Sequence, residues 1–89
     1  MMSMTLFDEV VGITEPYLGP TAQRFISRQV AFHLGKPPEQ LEPTDLPELA
    51  EWVAATMSML TDDRELLDEY AQNMEQLAKR HWRPVPPAA

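Results

Sequence analysis

Residues 45–60 read DLPELAEWVAATMSML, and residues 62–81 read DDRELLDEYAQNMEQLAKRH. Each opens with the acid-x-x-acid spacing that caps a helix, Asp45 with Glu48 and Asp62 with Glu65. Pro47 falls in the first turn, where a missing backbone N–H costs nothing. Leu46, Leu49, Ala50, Val53, Met57 and Leu60 then recur every third or fourth position, one face of a helix. Leu66, Leu67, Tyr70, Ala71, Met74, Leu77 and Ala78 repeat that pattern. Glu75 and Lys79 are spaced for an i,i+4 ion pair. Lys79, Arg80 and His81 meet the negative end of the helix dipole. Thr61-Asp62 allows a very tight turn between the two stripes, so the two helices are expected to fold back as an antiparallel hairpin.

Working toward the N-terminus, the next helix opens at Gly19-Pro20-Thr21. Its apolar stripe is Ala22, Phe25, Ile26, Val30 and His33 or Leu34. Gly35 stops it, and Pro37-Pro38 prevents its resumption. Between them lies PPEQLEP, expected to hold one helical turn over Pro38–Leu41, with Leu41 pinned to the core. The first helix is expected from Thr5 to Ile13, capped by Thr5 with Asp8 in reciprocal position. Pro16 and Pro20 lie beyond it, because proline is disfavoured inside helices. The expected fold is all-α, a compact bundle of about four helices. Residues 1–83 make a single helical domain, and residues 84–89 make a Pro-rich tail expected to be disordered.

Composition narrows the function classes. The chain has 89 residues, no Cys and a formal charge of -7. A chain of this length buries only about 60% of its unfolded surface, enough for one small core. Without Cys there is no disulfide scaffold, thiol chemistry or Cys-ligated metal. The acidic balance argues against nucleic-acid binding, which calls for a basic face. No apolar run approaches the roughly 20 residues of a membrane span. The opening MMSMTLFDEVV lacks the basic and apolar regions of a signal peptide, so a cytoplasmic location is expected.

Catalytic chemistry finds few residues to work with. The two histidines, His33 and His81, belong to no E-x-x-H pair, so no di-metal bundle and no metal site is expected. None of Ser3, Ser27 and Ser58 lies in the Asp-Ser-Leu setting of an acyl carrier protein. No Gly-rich phosphate loop is present. An enzyme is not expected, and neither is a cofactor. Histidine phosphotransfer at His33 stands as the alternative, weakened because Gly35 and Lys36 follow it only as the helix ends. An acidic mimic of nucleic acid, acting as an inhibitor, is a further alternative.

Surface chemistry remains. Phe7, Phe32, Trp52, Met59 and Trp82 fall off the main stripes, and a small interior has limited room for them. Trp52, Met59, Tyr70 and Met74 lie on the expected hairpin, and Arg24 with Arg28 form a basic pair one turn apart. These nine residues are the interface candidates, for a protein partner or a homo-oligomer. Residues 45–89 hold nine acids against four bases and residues 1–44 five against three, so the acidity concentrates on the hairpin.

Residues 17–53, YLGPTAQRFISRQVAFHLGKPPEQLEPTDLPELAEWV, carry a Tyr-x-Gly-Pro-x-Ala opening, an apolar helix with Arg-Gln, a PEQL linker and an LPELAEW helix. This pattern, extending over residues 17–78, resembles small helical modules of bacterial signalling proteins. Such modules are attached to kinases and regulators, or stand alone as partners of small-GTPase and Roadblock-type systems. The resemblance implies regulation or scaffolding through protein contacts, brings no catalytic residue, and does not name the partner.

Overall fold

A computed structural model describes residues 5–81; residues 1–4 and 82–89, which include Trp82 and the Pro-rich tail, lie outside them. The chain is all-α, and the described residues contain no strand. Helix α1 spans Leu6–Leu18. Thr5 caps it through its hydroxyl, which accepts from the Asp8 N–H at 3.1 Å, while the Asp8 carboxylate accepts from the Thr5 N–H at 3.1 Å. This is the reciprocal cap expected from the sequence.

The far end differs from expectation. α1 does not stop at Ile13 but continues through Pro16 to Leu18. Pro16 has no N–H to give to the Gly12 carbonyl, yet Gly12 is exposed, and solvent can take that acceptor. The chain turns instead at Gly19, whose φ of 67° is open to glycine and costly for other residues. A 3-10 turn over Gly19–Thr21 leads into α2, Ala22–Gln29. α2 widens into a π-helical turn, Val30–Leu34, which Gly35 ends in the left-handed conformation at φ 65° and ψ 29°.

The linker holds two 3-10 turns, Pro38–Gln40 and Pro43–Asp45, and Leu41 between them is buried as expected. α3 then spans Leu46–Ser58, and α4 spans Arg64–His81. Both starts depart from the expected caps. Asp45 does not cap α3; its Oδ2 accepts from the Glu42 N–H at 2.9 Å and from Lys36 Nζ at 2.7 Å. Lys36 thereby ties the end of the π turn to the start of α3, and the bonded Asp45 carboxylate holds its ammonium above the usual range. At α4 the cap is Asp63, not Asp62, with Oδ1 accepting from the Leu66 N–H at 3.2 Å.

The core draws Val10 from α1, Ala22, Ile26 and Val30 from α2 and its π turn, Leu46, Leu49, Val53 and Met57 from α3, and Tyr70, Met74 and Leu77 from α4. Burying an aliphatic or aromatic side chain of this size contributes about 1.5–3 kcal/mol, so these contacts set the register of the helices. The expected stripes hold in their centres and fail at their edges. Leu60 is 73% exposed, because α3 ends at Ser58 and the chain has already turned away from the core. Tyr70 and Met74, expected at an interface, are instead buried. α1, longer than the sequence suggested, covers that stretch of α4.

The cover is a polar seam. Thr14, fully buried, donates its hydroxyl proton to the Val10 carbonyl at 2.8 Å and accepts from the Tyr70 hydroxyl at 2.9 Å. The Tyr17 ring meets the Tyr70 ring edge-on, with centroids 5.2 Å apart and planes at 89°. The Tyr17 hydroxyl donates to Glu69 at 3.1 Å and accepts from the Asn73 amide at 3.3 Å. His81 Nε2 lies 2.7 Å from the Glu9 carboxylate. These pairs match rising numbers in α1 with falling numbers in α4, so the two helices run antiparallel. Burial pushes the Tyr70 phenol up to about 12, and it raises Tyr17 too, with the Glu69 carboxylate adding to the effect.

Candidate protein-interaction face

The large apolar side chains that are exposed among the described residues are Phe32, Trp52, Met59 and Leu60, at 83%, 42%, 85% and 73%. Phe32 belongs to the π turn that extends α2, Trp52 to α3, and Met59 with Leu60 to the turn that leaves α3. All four therefore come from α2, α3 and their immediate extensions, and none from α1 or α4.

Two contacts fix how α2 and α3 meet at the surface. The His33 imidazole lies flat on the Trp52 indole, with centroids 3.8 Å apart and planes within 9°. Further along, Leu18, Thr21, Arg24, Phe25 and Arg28 face Thr56 and Leu60 across a groove of about 320 Å³. The late residues of α2 thus meet the middle of α3, and the early residues of α2 meet its end. The helices run antiparallel, and Trp52 and Thr56, one turn apart, carry the exposed stripe from the stack to the groove.

The wider π turn is what delivers His33 to Trp52. A turn with i→i+5 bonding holds more residues than an α turn and changes the direction in which later side chains leave the helix. Of His33 and Leu34, the two alternatives for the end of the core stripe, Leu34 packs against the core, whereas His33 is exposed and uses its face on the indole. Its near neighbour Phe32 is left almost wholly in solvent. Trp52, stacked by His33, stays 42% exposed.

Two cations line this groove in an acidic chain. Arg24 and Arg28 are exposed, line the groove, and have no ion-pair partner among the described residues. On their other side they border a broader concavity of about 650 Å³, walled by Phe7, Pro20, Gln23, Ser27, Pro38 and Glu39. Phe7 is half-buried and packs on the core, so it is a wall of that concavity rather than a free anchor.

A third concavity of about 470 Å³ lies between α3 and α4. Ala50, Ala54, Ala71 and Ala78 floor it, and the exposed Glu75–Lys79 pair, 3.2 Å apart, borders it. It exists because small residues leave the two helices without side chains to fill the space above their contact. Among the described residues no three His, Asp or Glu side chains converge as metal ligands would. No helix of the described residues is long and apolar enough to cross a membrane.

Of the nine residues singled out from the sequence, the structure brings Arg24, Arg28, Phe32, Trp52 and Met59 to the α2–α3 side. Tyr70 and Met74 are core, Phe7 is half-buried, and Trp82 lies outside the described residues. Sequence reading missed Leu60, counted as core, and the partnership of His33 with Trp52. The clue to Leu60 was its place next to the break before Asp62; nothing in the sequence signalled the stack. No protein-family model, curated protein or solved structure matches this chain.

Proposed function

We propose that this chain is a non-enzymatic protein-interaction module of regulatory or scaffolding character, and that its α2–α3 face is the binding surface. The observation that carries the reading is the gathering of Phe32, Trp52, Met59 and Leu60 on two adjacent helices and their extensions, beside an arginine pair. Exposed aromatic, Met and Arg side chains are the types enriched at interfaces. The arrangement supports contact with another protein more than chemistry on a small molecule, because the described residues here include no nucleophile set against a base. In this reading the elements form a four-helix bundle in which α3 and α4 make an antiparallel hairpin, and the hairpin stiffens the Trp52 side of the face. Their contact is the most extensive between any two elements, which supports that view.

Phosphoryl transfer at His33 is less well supported. One face of its ring is against Trp52, and no carboxylate or lysine is bonded to it among the described residues. Incubation with a small phosphodonor is expected to leave no acid-labile adduct.

The test is a comparison of captured proteins. The tagged chain and a Phe32→Ser/Met59→Ser variant are each used to capture partners from cells of the source organism, and the bound proteins are identified by mass spectrometry. Both side chains are exposed, so the melting curve of the variant should match the parent. Partners retained by the parent and lost by the variant support the face. Equal capture by both moves the function elsewhere on the molecule.

A further inference from the structure

We infer that the α2–α3 groove is self-complementary: two copies of this chain pair across a two-fold axis, the Leu60 lip of each entering the groove of the other while Asp62 of each faces Arg24 and Arg28 of the other. The inference rests on the reading of this face as an interaction surface and names its occupant.

The groove and the group that fills it belong to the same patch. Leu60 forms one lip and is 73% exposed, and Met59 beside it is 85% exposed. Leu18, Phe25 and Thr56 line a space of about 320 Å³. A cavity of roughly 150 Å³ already admits a benzene ring, so a four-carbon leucine side chain fits this open groove. A patch that carries both the projection and the recess can pair with its own copy by a two-fold rotation.

Charge gives the same answer. Arg24 and Arg28 stand one turn apart on α2, where like charges repel, and neither has an acid beside it among the described residues. Two residues past Leu60, Asp62 is exposed and makes no hydrogen bond or ion pair among the described residues, whereas its neighbour Asp63 is committed to capping α4. When Leu60 of one copy enters the groove of the other, it carries Asp62 toward the arginine pair that lines that groove. The contact occurs twice, and each copy supplies both signs. A net charge of -7 per chain opposes pairing at long range, so the local match of opposite charges is what selects this face over the acidic remainder.

Sedimentation equilibrium of the full chain, from micromolar to submillimolar concentration, tests this with a charge swap. The parent is expected to dimerise with concentration. Arg28→Glu and Asp62→Arg each weaken the dimer about tenfold or more, because every reversed charge meets a like charge at both symmetry-related contacts. The double variant restores the dimer to near the parent constant. Leu60→Ser lowers association while its melting curve stays that of the parent. A parent that remains monomeric throughout, single reversals without effect, or a double variant as weak as the singles overturns the pairing. A monomeric parent that still loses captured partners on Phe32→Ser/Met59→Ser leaves the interaction face intact and shows that its occupant is another protein.

Discussion

The α1–α4 seam and the α2–α3 face place aromatic rings beside polar atoms, yet they do opposite work. In the seam, Tyr70 is fully buried and its hydroxyl is bonded to Thr14, while Tyr17 closes over it with its own hydroxyl bonded to Glu69 and Asn73. The hydroxyls of Thr14, Tyr17 and Tyr70 all have partners inside the chain, and the aromatic area goes into folding. At the face, Trp52 is covered on one side by His33, Phe32 is uncovered, and Arg24 and Arg28 have no acidic partner among the described residues. The difference shows that residue type does not sort buried from exposed aromatic rings in a domain this small; satisfaction of the polar groups beside them does. A tyrosine whose hydroxyl finds a threonine can be sealed, whereas a face whose cations stand alone is open to another molecule.

The sharpest way to break the comparison is to remove a ring from the seam. Tyr70→Ala is expected to cost about 3–5 kcal/mol of folding stability in urea unfolding, since it leaves a cavity in the core and removes one of the two partners of the Thr14 hydroxyl. A loss below about 1 kcal/mol would mean that the seam is not packed as described.

Alkaline titration probes the same site without mutation. The Tyr70 phenol stands at about 12 in the folded chain against an ordinary 10.0. Its contribution is fully present below pH 10.0 and is withdrawn as pH rises toward 12, because the unfolded chain ionises first. A rise of that size corresponds to about 2–3 kcal/mol at its limit. Tyr17 and Lys36, both raised, push in the same direction. Melting temperatures across this range should fall, and Tyr70→Phe should flatten the fall.

At the proposed binding face the expected balance between folding and binding reverses. Trp52→Ala is expected to weaken association by about 2 kcal/mol, as hot-spot aromatics do. Melts beside a binding titration separate the two effects; an early melt with no independent binding loss would transfer Trp52 to the folding side of the comparison. The smallest expected effect is Met59→Ser, which should change folding stability by no more than about 0.5 kcal/mol.

How far the sequence could be read follows from range. The Thr5–Asp8 cap, the Gly35 stop, the buried Leu41 and the Glu75–Lys79 pair all rest on residues within a few positions of each other, and all were legible. The length of α1 was not, because the cost of Pro16 depends on which way the Gly12 carbonyl faces. That one error hid the seam. Without the last turn of α1 nothing covers Tyr70, and a tyrosine with no cover reads as an anchor for a partner. The Thr14–Tyr70 bond joins residues 56 apart and leaves no local trace. The stack of His33 on Trp52 depended on a π turn, which hydrophobic spacing alone does not reveal.

That π turn has a consequence for the gene as well as for the fold. A π turn closing a helix holds more residues than an α turn would. Taking one residue out of 30–34 would return the segment to α-helical register and swing whatever follows by about 100° around the axis. Gly35, the Lys36 tie and Leu41 are anchored downstream, so the swing would fall on Phe32 and His33. The helical scaffold is expected to tolerate a chain one codon shorter so long as Val30 stays in the core, whereas the pairing of imidazole on indole is expected to be lost. A single-codon deletion there is therefore the shortest mutational route from the present surface to a different one on the same core.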